Sequence, residues 1–305
     1  MATVRSHSPF EHALHALALD QVLDLVAQEC VNANAREAVV ARRPSSDAVW
    51  LQERHAEIEE YRALRETAGD VAIPDTGYRA HVERIARGER GDGVVLRRIA
   101  DGEHAVRELR KSLADRRESS MLLWTIAQGA QPNDNLIRDA YRALDSDGGV
   151  RDEASPALRS IRRDIAAARN GLRARAEKLV NDMGADSHAT VVRGRHVLVV
   201  PRAKVKRGTG LVHGASQSGG SLYVEPLALL YLNNELETRL ADEVAEIDRI
   251  LRALSDQVRE GAPGILANAD VIDRLDAIRA VARFAERFGC IQPDISSDRI
   301  HIVQG

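Results

Sequence analysis

The densest group of residues able to do chemistry lies between Ser187 and Val224. It holds six cationic side chains, Arg193, Arg195, Arg202, Lys204, Lys206 and Arg207, and no aspartate or glutamate. His196 and His213 lie within it too. If 202–206 is extended, Arg202, Lys204 and Lys206 share one face and Ala203 and Val205 the other, because strand side chains alternate. A cationic strand face of this kind tracks phosphates without reading bases. The alternative is that the charges only keep an exposed edge strand soluble. The lack of carboxylates favours binding, since a merely soluble surface mixes both signs. Tyr223 is the only Phe, Trp or Tyr in the stretch, so a stacking platform for single strands is not expected.

Other candidate chemistry is weaker. Asp145, Asp147 and Gly149 hint at a calcium loop, but its twelfth residue would be Pro156 rather than glutamate. A helix-connecting turn is the better expectation. His7, His12 and His15 have only Glu11 for company, which suits surface histidines better than a metal site. Cys30 and Cys290 lie far apart with no CxxC spacing, so they are expected to be two core thiols in a reducing cytosol. Glu225 precedes Pro226 at a strand-to-helix junction and is expected to order a hinge by accepting backbone N–H bonds. Asn233 and Asn234 fall in the first turns of the next helix. As poor helix formers they point to local hydrogen bonding there, with simple exposure the equal alternative. No Ser/His/Asp or Cys/His arrangement is evident, and no catalysis by this chain is expected.

The elements that must position these residues are mostly helical. Helical spacing runs over 10–41, and a helix capped at Ser45–Asp47 runs to about Thr67. A loop at 69–77 is followed by helical patterns near 78–87, 93–116, 119–128 and 134–144. Ser155 before Pro156 reads as an N-cap with proline in the first turn. Leu158, Ile161, Ile165, Ala168, Leu172, Ala176 and Leu179 then form a near-heptad seam. After Pro226 a second seam comprises Leu236, Leu240, Val244, Ile247, Leu251, Leu254 and Val258. The two helices would be on the order of 40 and 50 Å long, and antiparallel pairing satisfies both seams. Between them Thr190–Val192, His196–Val200 and Leu222–Val224 read as strands separated by glycines. Gly261, Pro263 and Gly264 are expected to break the second helix, with another over 265–288 and a terminal strand at Arg299–Val303.

The whole is therefore mainly α. The expected order is a helical core at 1–154, an ascending helix at 155–186, a β-rich module at 187–225, a descending helix at 226–262 and a return to the core at 263–305. Apolar residues make up 44% of the chain and aromatics 3%, a core of aliphatic side chains suited to helix packing. The net charge of −3 excludes a globally polycationic protein. No apolar run approaches the roughly 20 residues of a membrane span, and residues 1–9 lack the apolar core of a signal peptide. A cytoplasmic protein is expected.

Three segments resemble one family. Residues 145–158 (DSDGGVRDEASPAL) resemble the turn that opens the lever helix of the type-two bacterial MutS proteins. Residues 194–201 (GRHVLVVP) and 210–213 (GLVH) resemble that branch's clamp strands. The run 216–226 (SQSGGSLYVEP), with 232–236 (LNNEL), resembles its most distinctive stretch, where the clamp re-enters the lever. Gly214 departs from the pattern, which would place an acid after the histidine. The resemblance implies an all-helical core and a two-helix lever whose tip carries a clamp that closes on nucleic acid. Glu225, Pro226, Asn233 and Asn234 would lie at the clamp hinge, and Arg193, Arg195, His196, Arg202, Lys204, Lys206 and Arg207 on the binding surface. It also implies duplex or branched DNA as partner, a nucleoid-associated role in recombination control or repair, and a homodimer formed through an ATPase domain. Action on stalled ribosomes through ribosomal RNA, or a purely structural assembly arm, is the alternative. The ATPase, with ATP and magnesium, and a small nuclease domain belong to a part outside this chain. No GxxxxGK[ST] occurs, so no cofactor is expected in this chain. Gly305 falls about where the ATPase would begin, so a truncated form of a longer protein is expected, with a naturally short paralogue the alternative.

Overall fold

Nine α-helices and one four-stranded antiparallel sheet lie wholly within the described residues, 16–184, 186–206 and 208–295 of a computed structural model. The helices are α1 (Leu19–Ala27), α2 (Ala33–Val40), α3 (Ala48–Ala68), α4 (Arg79–Ala86), α5 (Gly93–Ala114), α6 (Met121–Ala127), α7 (Asp134–Ala143), α8 (Pro156–Met183) and α9 (Leu227–Phe288). The mainly α expectation holds. The described residues divide into two compact units, one of those within 1–141, 146–148 and 254–305, the other of those within 142–145 and 149–253.

The first unit is helical. Tyr61 and Leu64 of α3, Val106 and Leu113 of α5 and Leu123 of α6 bury against Ile272, Leu275 and Ile278 of α9. A second cluster packs Val26, Cys30, Ala35 and Val39 on Ala277 and Ala280 of α9. Asp47 caps α3 by accepting from the N–H groups of Val49 and Trp50 at 3.1 and 3.0 Å. The helical spacing over 10–41 resolves instead into α1 and α2. Asn32 intervenes because its groups are spent on tertiary bonds. Its N–H donates to Asp276 Oδ2 at 2.8 Å, and its side chain bonds the Thr76 N–H and the Pro74 carbonyl. Residues 10–15, with His7, His12 and His15, lie outside the described residues, as does the expected strand at Arg299–Val303.

Gly102 is buried on α5 because the Tyr78 ring lies against it. A Cβ there would stand well inside contact distance of Tyr78 Cε1 and Cδ1. Gly102→Ala is expected to cost about 2 kcal/mol by overpacking. A urea melt should show a lower midpoint with the slope unchanged; an unmoved midpoint would mean that the ring yields freely.

Two expectations fail in the first unit. α9 does not break at Gly261 but runs through Pro263 to Phe288. An interior proline costs about 3 kcal/mol or more, because it leaves the carbonyl four residues back, that of Arg259, without its N–H donor. Val258, Ala262 and Ile265 are all buried, so packing on both sides of the proline offsets that cost. Cys290 is exposed, unlike the buried Cys30. It lies just past the end of α9, where its N–H donates to the Ala285 carbonyl. Burial pushes the Cys30 thiol up to about 12, as befits an inert core thiol.

In the second unit α8 and the opening half of α9 run antiparallel. Ile165, Leu172 and Ala176 of α8 share one core with Leu229 and Leu236 of α9 and with Leu198, Val200 and Val224 of the sheet. Ser155 does two jobs at the start of α8. Its Oγ accepts the Leu158 N–H at 3.0 Å and donates to Glu246 Oε1 at 2.6 Å. Arg162 adds a bond to Glu243 at 2.7 Å. These polar links hold the helices where the second seam lapses, for Val244 is 68% exposed and Glu243 faces α8 instead.

Candidate nucleic-acid interface

The sheet comprises β1 (His188–Val192), β2 (Arg195–Pro201), β3 (Leu211–Ala215) and β4 (Ser221–Glu225), in spatial order β1-β2-β4-β3. Arg193 and Gly194 form the two-residue turn between β1 and β2, with φ of 52° and 80°. Both angles are left-handed, which suits the right-handed twist of the flanking strands. An arginine in the first turn position bears the strain of that angle, and its side chain is exposed at the hairpin tip.

Beyond β2 the expected extended run 202–206 is absent. Arg202–Lys204 instead form a 3₁₀ turn. Pro201 ends the strand, the Arg202 N–H donates to the Gly220 carbonyl at 2.9 Å, and the Val205 N–H donates to the Arg202 carbonyl at 3.3 Å. Val205 packs on the core of the unit. Arg202, Lys204 and Lys206 are all exposed, on a turn rather than along one strand face. Lys204 Nζ bonds Asp186 Oδ2 at 2.6 Å and holds that carboxyl below its usual range. Among the described residues Arg193, Arg202 and Lys206 have no side-chain ion pair. Arg207 lies outside the described residues.

Arg195 and His196 go elsewhere. Arg195 is committed to Glu225 of β4, at distances of 2.8 to 3.1 Å, and also bonds Glu237 at 2.9 Å and Asn234 Oδ1 at 2.6 Å on α9. Glu225 is fully buried. It also accepts from Asn233 Nδ2 at 2.6 Å and lies 2.6 Å from His213 Nε2. The backbone donors expected for it are replaced by side chains from β2, β3 and α9. Burial pushes the Glu225 carboxyl up, but the bonds from Arg195, Asn233 and His213 outweigh this and leave it below the usual range. The same bond to Glu225 raises Arg195. A bulge between Val212 and Gly214 is what turns His213 onto this carboxylate.

Asn233 completes the junction. β4 leaves its ladder at Pro226, which has no N–H to pair. The Asn233 amide then takes over beside β2, accepting the His196 N–H at 3.0 Å and donating to the His196 carbonyl at 2.9 Å. It behaves as a strand residue supplied by a helix. The local hydrogen bonding expected of Asn233 and Asn234 is present at both. His196 is partly buried, and that burial pushes its imidazole down.

Sequence alone does not reveal the partners of these cations. Asp186 and Glu225 stand one residue outside the carboxylate-free window, and they engage Lys204 and Arg195. Glu237 carries no local signal, and nothing near His213 in sequence points to its pairing with Glu225. Among the described residues no group of three or more His, Cys, Asp or Glu could hold a metal. Asp145 Oδ1 accepts the Gly149 N–H at 2.7 Å, so that run is a turn closed by its own side chain. No described helix is long and apolar enough to cross a membrane.

The run from Ser216 to Leu236, which carries the resemblance to MutS proteins, joins the sheet to α9 within the second unit. The chain is 31% identical to an endonuclease MutS2 of Symbiobacterium thermophilum over 95% of its own length, and 31% identical to that of Gemmatimonas aurantiaca over 92%. It is 30% identical to that of Geobacillus thermodenitrificans over 93%. In sequence the chain is a homologue of one stretch of the MutS2 proteins. It spans only 37%, 35% and 37% of these three relatives. No family model matches it.

Proposed function

We propose that the second unit is the nucleic-acid-binding part of a MutS-type protein, in which α8 and the opening half of α9 form a lever and 187–225 a clamp. The clamp contacts DNA backbone, duplex or branched, without reading sequence, and the lever couples it to an ATPase in a part of the protein beyond this chain. Residues 1–154 and 263–305 would form the core to which the lever returns, and Glu225, Pro226, Asn233 and Asn234 the fixed base of the clamp. The observation that carries the reading is the exposure of Arg193, Arg202 and Lys206, which have no ion-pair partner among the described residues. Lys204 joins them because an exposed ion pair such as that with Asp186 is worth little and yields readily to a phosphate. Arg195 and His196 leave the binding surface for the clamp base. The endonuclease activity in the relatives' names is assigned to the length of those proteins that this chain does not match. Recombination control or repair is the process such a clamp would serve, with ribosomal RNA the competing target.

Neutralising Arg193, Arg202, Lys204 and Lys206 together tests the reading. The slope of log affinity against log salt should flatten by about 0.9 for every duplex phosphate that is no longer neutralised. Affinity should fall evenly across sequences, because binding to phosphates carries no base information. An unchanged affinity and slope would place the function elsewhere, in assembly of the protein.

A further inference from the structure

A groove separates the second half of α8 from the edge strand β1, enclosing about 430 Å³. Ala176 lies at its floor, with Arg173, Glu177 and Asn181 along the α8 side and His196 beside Val191 on the sheet side, while the side chains of His188 and Thr190 alternate to the other face of β1. His196 Nδ1 is buried and has no hydrogen-bond partner. A buried imidazole nitrogen left unpaired carries a desolvation cost that a bound donor or acceptor would remove. His196 is neutral when its pKa is pushed down by burial, so one ring nitrogen can donate and the other accept. Arg173 pairs with Glu177 at 3.1 Å, so the lining carries one charge of each sign.

We infer that this groove receives a single unpaired nucleobase, extruded from a branched or bulged nucleic acid whose backbone is held at the neighbouring hairpin. The inference rests on the clamp reading. Arg193 follows β1 directly, so a strand held at the hairpin tip passes the mouth of the groove. The volume is ample for one base. Asn181 offers hydrogen bonds to a base edge, and imidazole is among the rings on which unstacked bases settle. A scarcity of Phe, Trp and Tyr argues against a stacking platform for a continuous single strand. One imidazole, that of His196, suffices for one base, which is a different demand.

The test compares two duplexes of identical length in the same salt, one fully paired and one with a single extrahelical 2-aminopurine. The bulged duplex should bind about thirtyfold tighter, the middle of the range for stacking one base on a ring, and the fluorescence of the 2-aminopurine should change on binding. Asn181→Ala with His196→Leu should abolish that preference. Asn181 is exposed and the His196 Nδ1 has no partner to lose, so folding should survive, and affinity for the paired duplex with its salt slope should stay as in the wild type. Equal binding of both duplexes by the wild type, or a preference kept in the double variant, would overturn the groove assignment alone. Failure to bind either duplex at low salt would overturn the clamp reading and this inference with it.

Discussion

Glu225→Ala should lower the stability of the second unit by about 3–5 kcal/mol, the usual cost of breaking a buried ion pair from one side. The wild-type carboxylate is fully buried and answers Arg195, His213 and Asn233 at once. Removing it leaves the Arg195 guanidinium with only Glu237 and Asn234 and leaves one amide hydrogen of Asn233 unsatisfied. The β3 strand would lose its side-chain tie to α9. Hydrogen exchange at the β2 and β4 amides reads this directly: protection should drop by several orders of magnitude in the variant. Unaltered protection would mean that the apolar core alone holds the sheet. The pH dependence has a fixed sign. Glu225 has a depressed carboxyl in the folded state, so its contribution is full above the ordinary carboxylate range. It is lost as pH falls through the folded value.

The second large effect lies in the first unit, at an acid with the opposite shift. Glu103 is fully buried on α5 and is held by amides. It accepts the Asn133 N–H at 2.8 Å and two bonds from Asn268 Nδ2 at 3.1 and 3.0 Å. Asn268 also accepts the Gln131 N–H at 2.7 Å and donates to the Gln131 carbonyl at 3.1 Å. Asn268→Leu would strand these groups in the interior and should cost about 3 kcal/mol. Trp124 packs against the adjoining core, so its fluorescence in a urea titration is the readout. A midpoint equal to wild type would show that water replaces the amide freely. Burial raises the Glu103 carboxyl, so the folded state favours the protonated acid. Its stabilising contribution is therefore present below the unfolded value and lost as pH rises through the folded one. Glu103→Gln should gain on the wild type as pH increases and remove that slope.

Where structure follows from neighbours in sequence, it is legible. The caps at Asp47 and Ser155, the seam from Ile165 to Ala176 and the β-rich runs within 187–225 all rest on spacing of a few residues. Pro263 misleads because a local rule, that proline ends a helix, loses to burial of Val258, Ala262 and Ile265. Residues 202–206 mislead because alternating charge also fits a turn, and the deciding bond, from Arg202 to the Gly220 carbonyl, lies eighteen residues away in sequence. Arg195 shows the limit most clearly. Its charge looks available because its partner is thirty residues on, at the first position past the carboxylate-free stretch. Counting charge along a chain finds a cationic surface, but only pairing in space shows which cations it has left.

The most direct measurement is binding of this chain to duplex DNA, branched DNA and structured RNA across a salt series. The clamp reading predicts binding at low salt that weakens linearly in log affinity against log salt, with a slope of about −0.9 for each duplex phosphate engaged, and the ranking of the three ligands identifies the target. Absence of binding to all three at low salt would contradict it and leave an assembly role for the helix pair and its sheet.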